Sequence, residues 1–298
     1  MISSARQVHL FSILIIICLL AFSLVSMSQQ KPDISILPKG FYFEPLLFDP
    51  TQCQVTGGIQ KLWRSGNEKA GLFIPISLGF QLSFIRFEKK DHSGVELGMG
   101  AAAFTQFEIL QLESKTYRGE MLNSDYKAAG FINAFHNNWS FRFQIFHVSS
   151  HLSDDFLLRN HITTPDPGTM NYEQADITTS YSKNNVRLYG GFGYVITKYA
   201  VRDRISFETG IEYRKHLFNK ENIGYIAGSD IKFFEQNHYD PDIKIGSGFE
   251  IGDPEKIHMA FLLKYFGGHL PYSTLNYGRI HWFGISTVII PALRELKG

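Results

Sequence analysis

The pattern that most constrains this chain is a two-residue alternation carried through long runs. In "LFIPISLGFQLSFIRF" one side reads Ile74, Ile76, Leu78, Phe80, Leu82 and Phe84, and the other reads Pro75, Ser77, Gly79, Gln81 and Ser83. "GVELGMGAAAFTQFEI" sets Val95, Leu97, Met99, Ala101 and Ala103 against Glu96, Gly98, Gly100, Gln106 and Glu108. "RISFETGIEYR" and "DIKIGSGFEIG" repeat the arrangement, with Glu208, Glu212 and Arg214 sharing one polar side and Lys244, Gly246 and Glu250 another. Successive side chains of an extended strand point to opposite faces, so each run is a strand with one apolar face.

A secreted β-sandwich alternates in the same way, with its apolar faces turned to a core. Here the polar faces carry glycine and paired charges rather than the Lys and Thr of a solvated sheet. Glu208, Glu212 and Arg214 suit a narrow, hydrogen-bonded interior. With 26 Phe, 14 Tyr and 26 Gly, the chain favours strands and tight turns. The expectation is an all-β, antiparallel up-and-down transmembrane β-barrel of ten to twelve strands, its apolar faces towards lipid.

The ends agree with export. Residues 1–28 read as a signal peptide: Arg6 gives positive charge, "LFSILIIICLLAFSLV" an apolar core, and Ser26 and Ser28 small residues for cleavage before Gln29. Cys18 follows Ile17 rather than a small residue, which speaks against a lipoprotein site. Residues 29–298 then form one barrel domain located in the outer membrane, with membrane lipid as its partner. Cys53 is the one cysteine left, so no internal disulfide forms. A net charge of +1 gives no case for nucleic acid. No later run is long and apolar enough for a spanning helix. The closing "WFGISTVIIPALRELKG" lacks a terminal aromatic residue, so a short polar tail is expected after the last strand.

Within this pattern "FRFQIFHVSSHLSDDF" changes from alternating strand to a box of His, Ser and Asp. Trp139, Phe141, Phe143 and Ile145 share a face that His147 and Ser149 continue. In a barrel that face meets lipid, where polar groups are costly at mid-membrane and cheaper at its edge. "NN" at 137–138 reads as a tight turn. About 35 polar residues separate the box from "NVRLYGGFGYVIT". Short turns are periplasmic and long loops external, with "KKDHSG" short and "QLESKTYRGEMLNSD" long, so the box belongs at the outer leaflet.

A serine needs a base to become a nucleophile, and a histidine two residues away on one strand face can reach it. H-x-S on a lipid-facing strand resembles outer-membrane phospholipase A and lipid A deacylase, barrel enzymes that cleave acyl esters in the membrane. The resemblance implies His147 as base and Ser149 as nucleophile. Those enzymes follow H-x-S with Asn, whereas Ser150 and His151 follow here. Their base-orienting residue lies further downstream, where this chain offers Asp154, Asp155, Asn160 and His161.

A wider resemblance covers most of the mature chain. "FYFEPLLFDP", "HVSSHLSDDF" and "VRLYGGFGY" resemble a bacterial family named only as a domain of unknown function. The box in that family runs H-x-S-S-H-L-G-D-E; here Ser153 replaces the Gly and Asp155 the Glu. The family implies an exported or outer-membrane protein and transfers no activity.

Two other readings of the box stay open. His147, His151 and Asp154 could hold zinc, and Asp154 with Asp155 could hold calcium. H-x-x-x-H without a following glutamate is not the helical protease motif. Alternatively the box is a polar rim, with Arg142 and Arg159 pairing to aspartates to order the long loop of a non-enzymatic barrel or narrow pore. His258 and His269 read as girdle or loop residues. The "YGGFGY" glycines read as points of barrel curvature rather than a phosphate loop.

Overall fold

The computed structural model describes residues 32–64, 67–89, 93–111, 116–163, 171–198, 202–217, 220–272 and 279–293. The expected signal peptide, residues 1–28, and the tail after residue 293 lie outside them. The strands are β1 (Asp33–Ile36), β2 (Val55–Arg64), β3 (Asn67–Lys89), β4 (Ser93–Gln111), β5 (Tyr117–His136), β6 (Trp139–Leu152), β7 (Tyr172–Lys183), β8 (Val186–Lys198), β9 (Ile205–Leu217), β10 (Lys220–Phe234), β11 (Asp242–Ile251), β12 (His258–Gly268) and β13 (Ile280–Ile290). Among the described residues one α-helix, α1 (Asp154–Arg159), follows β6, and a 3₁₀ turn (Glu235–Asn237) follows β10.

From β2 to β13 each strand pairs antiparallel with the next, and β13 returns to β2 with Ile285 opposite Ile59. The twelve strands β2–β13 close into a barrel, so each wall strand has a neighbour on both sides. Burial is inverted relative to a soluble sandwich. Phe80, Phe141, Ile177, Phe249 and Ile285 are exposed on the outside, whereas Glu96, Arg142, Glu212, Asp230 and Lys264 are buried on the inside. An apolar exterior around a charged interior is the partition that lipid imposes.

The connections differ at the two ends. By the strand bounds, the chain between neighbouring strands at one end is residues 90–92, Asn137–Asn138, Asn184–Asn185, 218–219 and 252–257, and at the other 65–66, 112–116, 153–171, 199–204, 235–241 and 269–279, so all but one of the latter are five residues or longer. Asn137, Asn184 and Asn185 take positive φ (55°, 50° and 67°), a conformation asparagine tolerates in tight turns. Two stretches expected as loops are largely strand. "QLESKTYRGEMLNSD" is spanned by the ends of β4 and β5, and the polar stretch after the box contains β7. The outward side of β7 is Glu173, Ala175, Ile177, Thr179 and Tyr181, too weakly apolar to stand out as a wall strand.

The lumen is not empty. β1 lies on β3 with Ile36 opposite Ile85, and β2 joins the same edge of β3 further along, with Thr56 opposite Ser77. Between them residues 37–54 leave the wall and cross the interior as a plug. Phe41, Tyr42, Phe43, Leu46, Leu47 and Phe48 are all buried there. "FYFEPLLFDP" is apolar without alternation and broken by Pro45 and Pro50, so it cannot serve as a wall strand. The barrel interior is the buried space within its reach.

Inward charges hold the plug by its backbone. Tyr42 N donates to Glu96 Oε1 at 2.8 Å and Leu47 N to Glu212 Oε1 at 2.7 Å. Arg142 Nη2 donates to the Phe43 carbonyl at 2.9 Å and Arg187 Nη2 to the Glu44 carbonyl at 2.9 Å. Both guanidinium groups also lie 4.8 Å from the Phe43 ring centre. Arg142 therefore anchors the plug rather than pairing with loop aspartates. Phe48 nests against Gly228 and Gly246, where an added Cβ would stand 2.5 Å and 2.7 Å from its ring.

His258 opens β12 and is buried, contrary to its reading as a girdle or loop residue, with Nδ1 3.0 Å from the Lys256 carbonyl. His269 does lie in the connection after β12, its Nδ1 3.0 Å from Asp242 Oδ1.

Candidate active site on the outer wall

β6 keeps its alternation to Leu152, so the His and Ser of the box up to His151 are wall, while Ser153, Asp154 and Asp155 start α1. Phe146, Val148 and Ser150 point inward and are buried. His147, Ser149 and His151 fall on the other face, the one that Trp139 and Phe141 expose. The β6–β7 register sets His147 opposite Glu173, and the β5–β6 register sets Ser149 opposite Tyr126.

Two hydrogen bonds organise this face. His147 Nδ1 lies 2.8 Å from Glu173 Oε1, with side chains 48% and 37% exposed. Ser149 Oγ lies 2.9 Å from His151 Nε2. The His151 ring centre is 5.9 Å from that of Tyr126. The serine thus bonds the histidine after it rather than His147. The carboxylate on His147 comes from β7, within the stretch expected as loop, so the sequence offered no face on which to place it.

Behind this face the structure is tightly bonded. Ser150 Oγ donates to Asp125 Oδ1, which also accepts from Asn123 Nδ2 at 2.9 Å. Ser153 caps α1 by accepting from Phe156 N at 3.1 Å, while its own hydroxyl donates to the Met121 carbonyl. Asp154 and Asp155 occupy the first turn of α1, where they face the positive end of the helix. Asp155 Oδ1 is 3.8 Å from Arg118 Nη2, and Asn160 Nδ2 donates to the Phe156 carbonyl at 2.8 Å. Arg159 Nη1 reaches Glu120 Oε2 at 2.9 Å and Glu108 Oε2 at 3.6 Å, so it ties the helix to the wall through glutamates of β5 and β4 rather than through the expected aspartates.

None of Asp154, Asp155, Asn160 and His161 hydrogen-bonds His147. Nor do His147, His151 and Asp154 bring metal-ligating atoms together. Among the described residues the converging acidic group is instead luminal: Asp49, Glu208 and Asp230. Its cation is already present, because Lys232 Nζ lies 2.6 Å from Asp49 Oδ1 and 3.3 Å from Glu208 Oε1. Burial alone would raise the Asp49 pKa, but Lys232 and Lys127 outweigh it and hold the carboxyl at about 2.

The sequence profile of the family described as "Protein of unknown function (DUF1207)" matches residues 25–289. The chain belongs to that family. No curated protein matches it by sequence. Among solved structures, the calcium-bound outer membrane phospholipase dimer of Salmonella typhi is similar, at 14% identity and a TM-score of 0.51, over 82% of this chain and 94% of that one. An active-site mutant of the Escherichia coli outer membrane phospholipase A is similar at 12% identity and a TM-score of 0.50, over the same shares. These likenesses concern the fold, that of outer-membrane barrels.

Proposed function

We propose that this barrel hydrolyses acyl esters of membrane lipids, with Ser149 as nucleophile, His147 as general base and Glu173 as the carboxylate that orients His147. The observation that carries the reading is the His147 Nδ1–Glu173 contact of 2.8 Å on a face turned to lipid. A carboxylate on Nδ1 sets the tautomer, leaving Nε2 with its lone pair to accept a proton. Ser149 lies two residues along the same face. Its 2.9 Å bond to His151 spans the same two-residue spacing in the other direction. In this reading Ser149 turns from His151 to His147 when substrate binds.

In the reaction Ser149 Oγ attacks the ester carbonyl while His147 Nε2 takes its proton. His147 then returns that proton to the departing alcohol, and a water deprotonated by His147 releases the fatty acid from the acyl-serine. The long-connection end of the barrel is the external end by the usual asymmetry of such proteins, which puts the site at the outer leaflet. A second reading, a non-enzymatic barrel whose box orders the loop, draws on the Arg159 bridges to Glu120 and Glu108.

Lipid mass spectrometry on phospholipid and lipid A vesicles incubated with purified protein, with calcium and with chelator, separates the two. Acyl release by wild type that is lost in Ser149→Ala and His147→Ala, but kept in His151→Ala, is the expected result. Loss only in His151→Ala would transfer the base role to His151. No release by wild type under either condition would leave the structural reading.

A further inference from the structure

Two inward lysines take no part in holding the plug. Lys244 on β11 and Lys264 on β12 are 8% and 3% exposed. Among the described residues neither makes a hydrogen bond or an ion pair. Both line one cavity of about 30 Å³ between the plug and strands β2, β3 and β11–β13. Asp49 also borders it, but that carboxylate is engaged by Lys232 Nζ at 2.6 Å and Thr51 N at 2.9 Å.

The rest of the lining is mixed, with Gln60 Oε1 a buried acceptor and two groups that can donate. Trp282 is 2% exposed, and its indole N–H is buried without an acceptor. Gln60 Nε2 donates to Ser286 Oγ at 3.2 Å, which leaves the Ser286 hydroxyl proton free to turn into the cavity. Gly246 keeps the space open for Lys264, since a Cβ there would stand 3.1 Å from Lys264 Cγ. Two ammonium groups sharing a small low-dielectric cavity repel each other, and each is costly to bury without a counter-charge.

We propose that this cavity binds a halide-sized inorganic anion, held by Lys244, Lys264 and the Trp282 N–H. A cavity needs roughly 10–15 Å³ to take one water, so a space of about 30 Å³ admits a single halide ion. The anion offsets one of the two lysine charges, relieves their mutual repulsion and fastens the wall behind Phe48 of the plug.

Bromide is the probe. Crystals of the full chain in detergent, soaked in sodium bromide, give an anomalous peak between Lys244, Lys264 and Trp282 in wild type and none there in Lys264→Met. In solution the wild-type Tm rises with chloride over sulfate at matched ionic strength, and that of Lys264→Met does not. An empty cavity in bromide-soaked wild type overturns the proposal, as does an equal chloride response in both proteins. If Lys264→Met does not fold, Lys244→Met replaces it and the wild-type bromide map decides alone.

Discussion

Ser149 stands between two imidazoles, and only one of them carries a carboxylate. This makes Glu173 the informative residue of the site. Glu173→Gln keeps the shape of the side chain but no longer stabilises a protonated His147. The expected outcome is a fall in kcat approaching the roughly 10²–10⁴-fold contribution of a general base, with KM little changed, measured as initial rates of fatty-acid release from vesicles. An unchanged rate would remove His147 from the mechanism. A polar surface role for Glu173 predicts no such effect, because His147 and Glu173 are both substantially exposed and a surface pair contributes at most about 1 kcal/mol to stability.

At the scale of elements, the plug depends on a few buried charges. Glu212 accepts from Leu47 N and pairs with Arg187 at 3.3 Å. Removing one member of such a buried set costs about 3–5 kcal/mol. Glu212→Ala is therefore expected to lower thermal stability and to raise hydrogen exchange across residues 41–54. Acid does the same through Asp49. Its folded-state value of about 2 lies below the ordinary 3.8, so its contribution is whole above the ordinary value and is lost as pH falls towards about 2. Hydrogen exchange at Asp49 and Thr51, followed from neutral pH down to that range, checks the sign.

The same scale explains what the sequence made legible. Strands such as β3 and β4 announce themselves because apolar and polar residues strictly alternate along them. β6 does so too, and its parity sets His147 and Ser149 on the outer face. β7 is concealed because Glu173 and Thr179 stand on its outward side. Asp154 and Asp155 fall in α1, a helix started by the Ser153 cap, and so turn away from the histidines. The plug segment was visible as "FYFEPLLFDP", but its place was not. Its partners Glu96, Arg142, Arg187 and Glu212 come from four separate strands, and only closure of the barrel brings them together.

For the whole molecule, the plug sets what crosses it. Replacing residues 37–54 by an extended strand of about seven residues would join β1 to β2 along the edge of β3. The expected outcome is a barrel that conducts ions in planar bilayers where wild type does not. Equal conductance in the two proteins would mean that the plug is no barrier.

The plug is tethered at both ends, through β1 to β3 and through β2 to the closing seam with β13. It is a loop and not a free tail, so pulling on the N-terminus must first strip β1 from β3 before the plug can leave the lumen. The seam joins β2, the first wall strand, to β13, the last among the described residues, so the plug precedes in sequence the strand on which the ring closes.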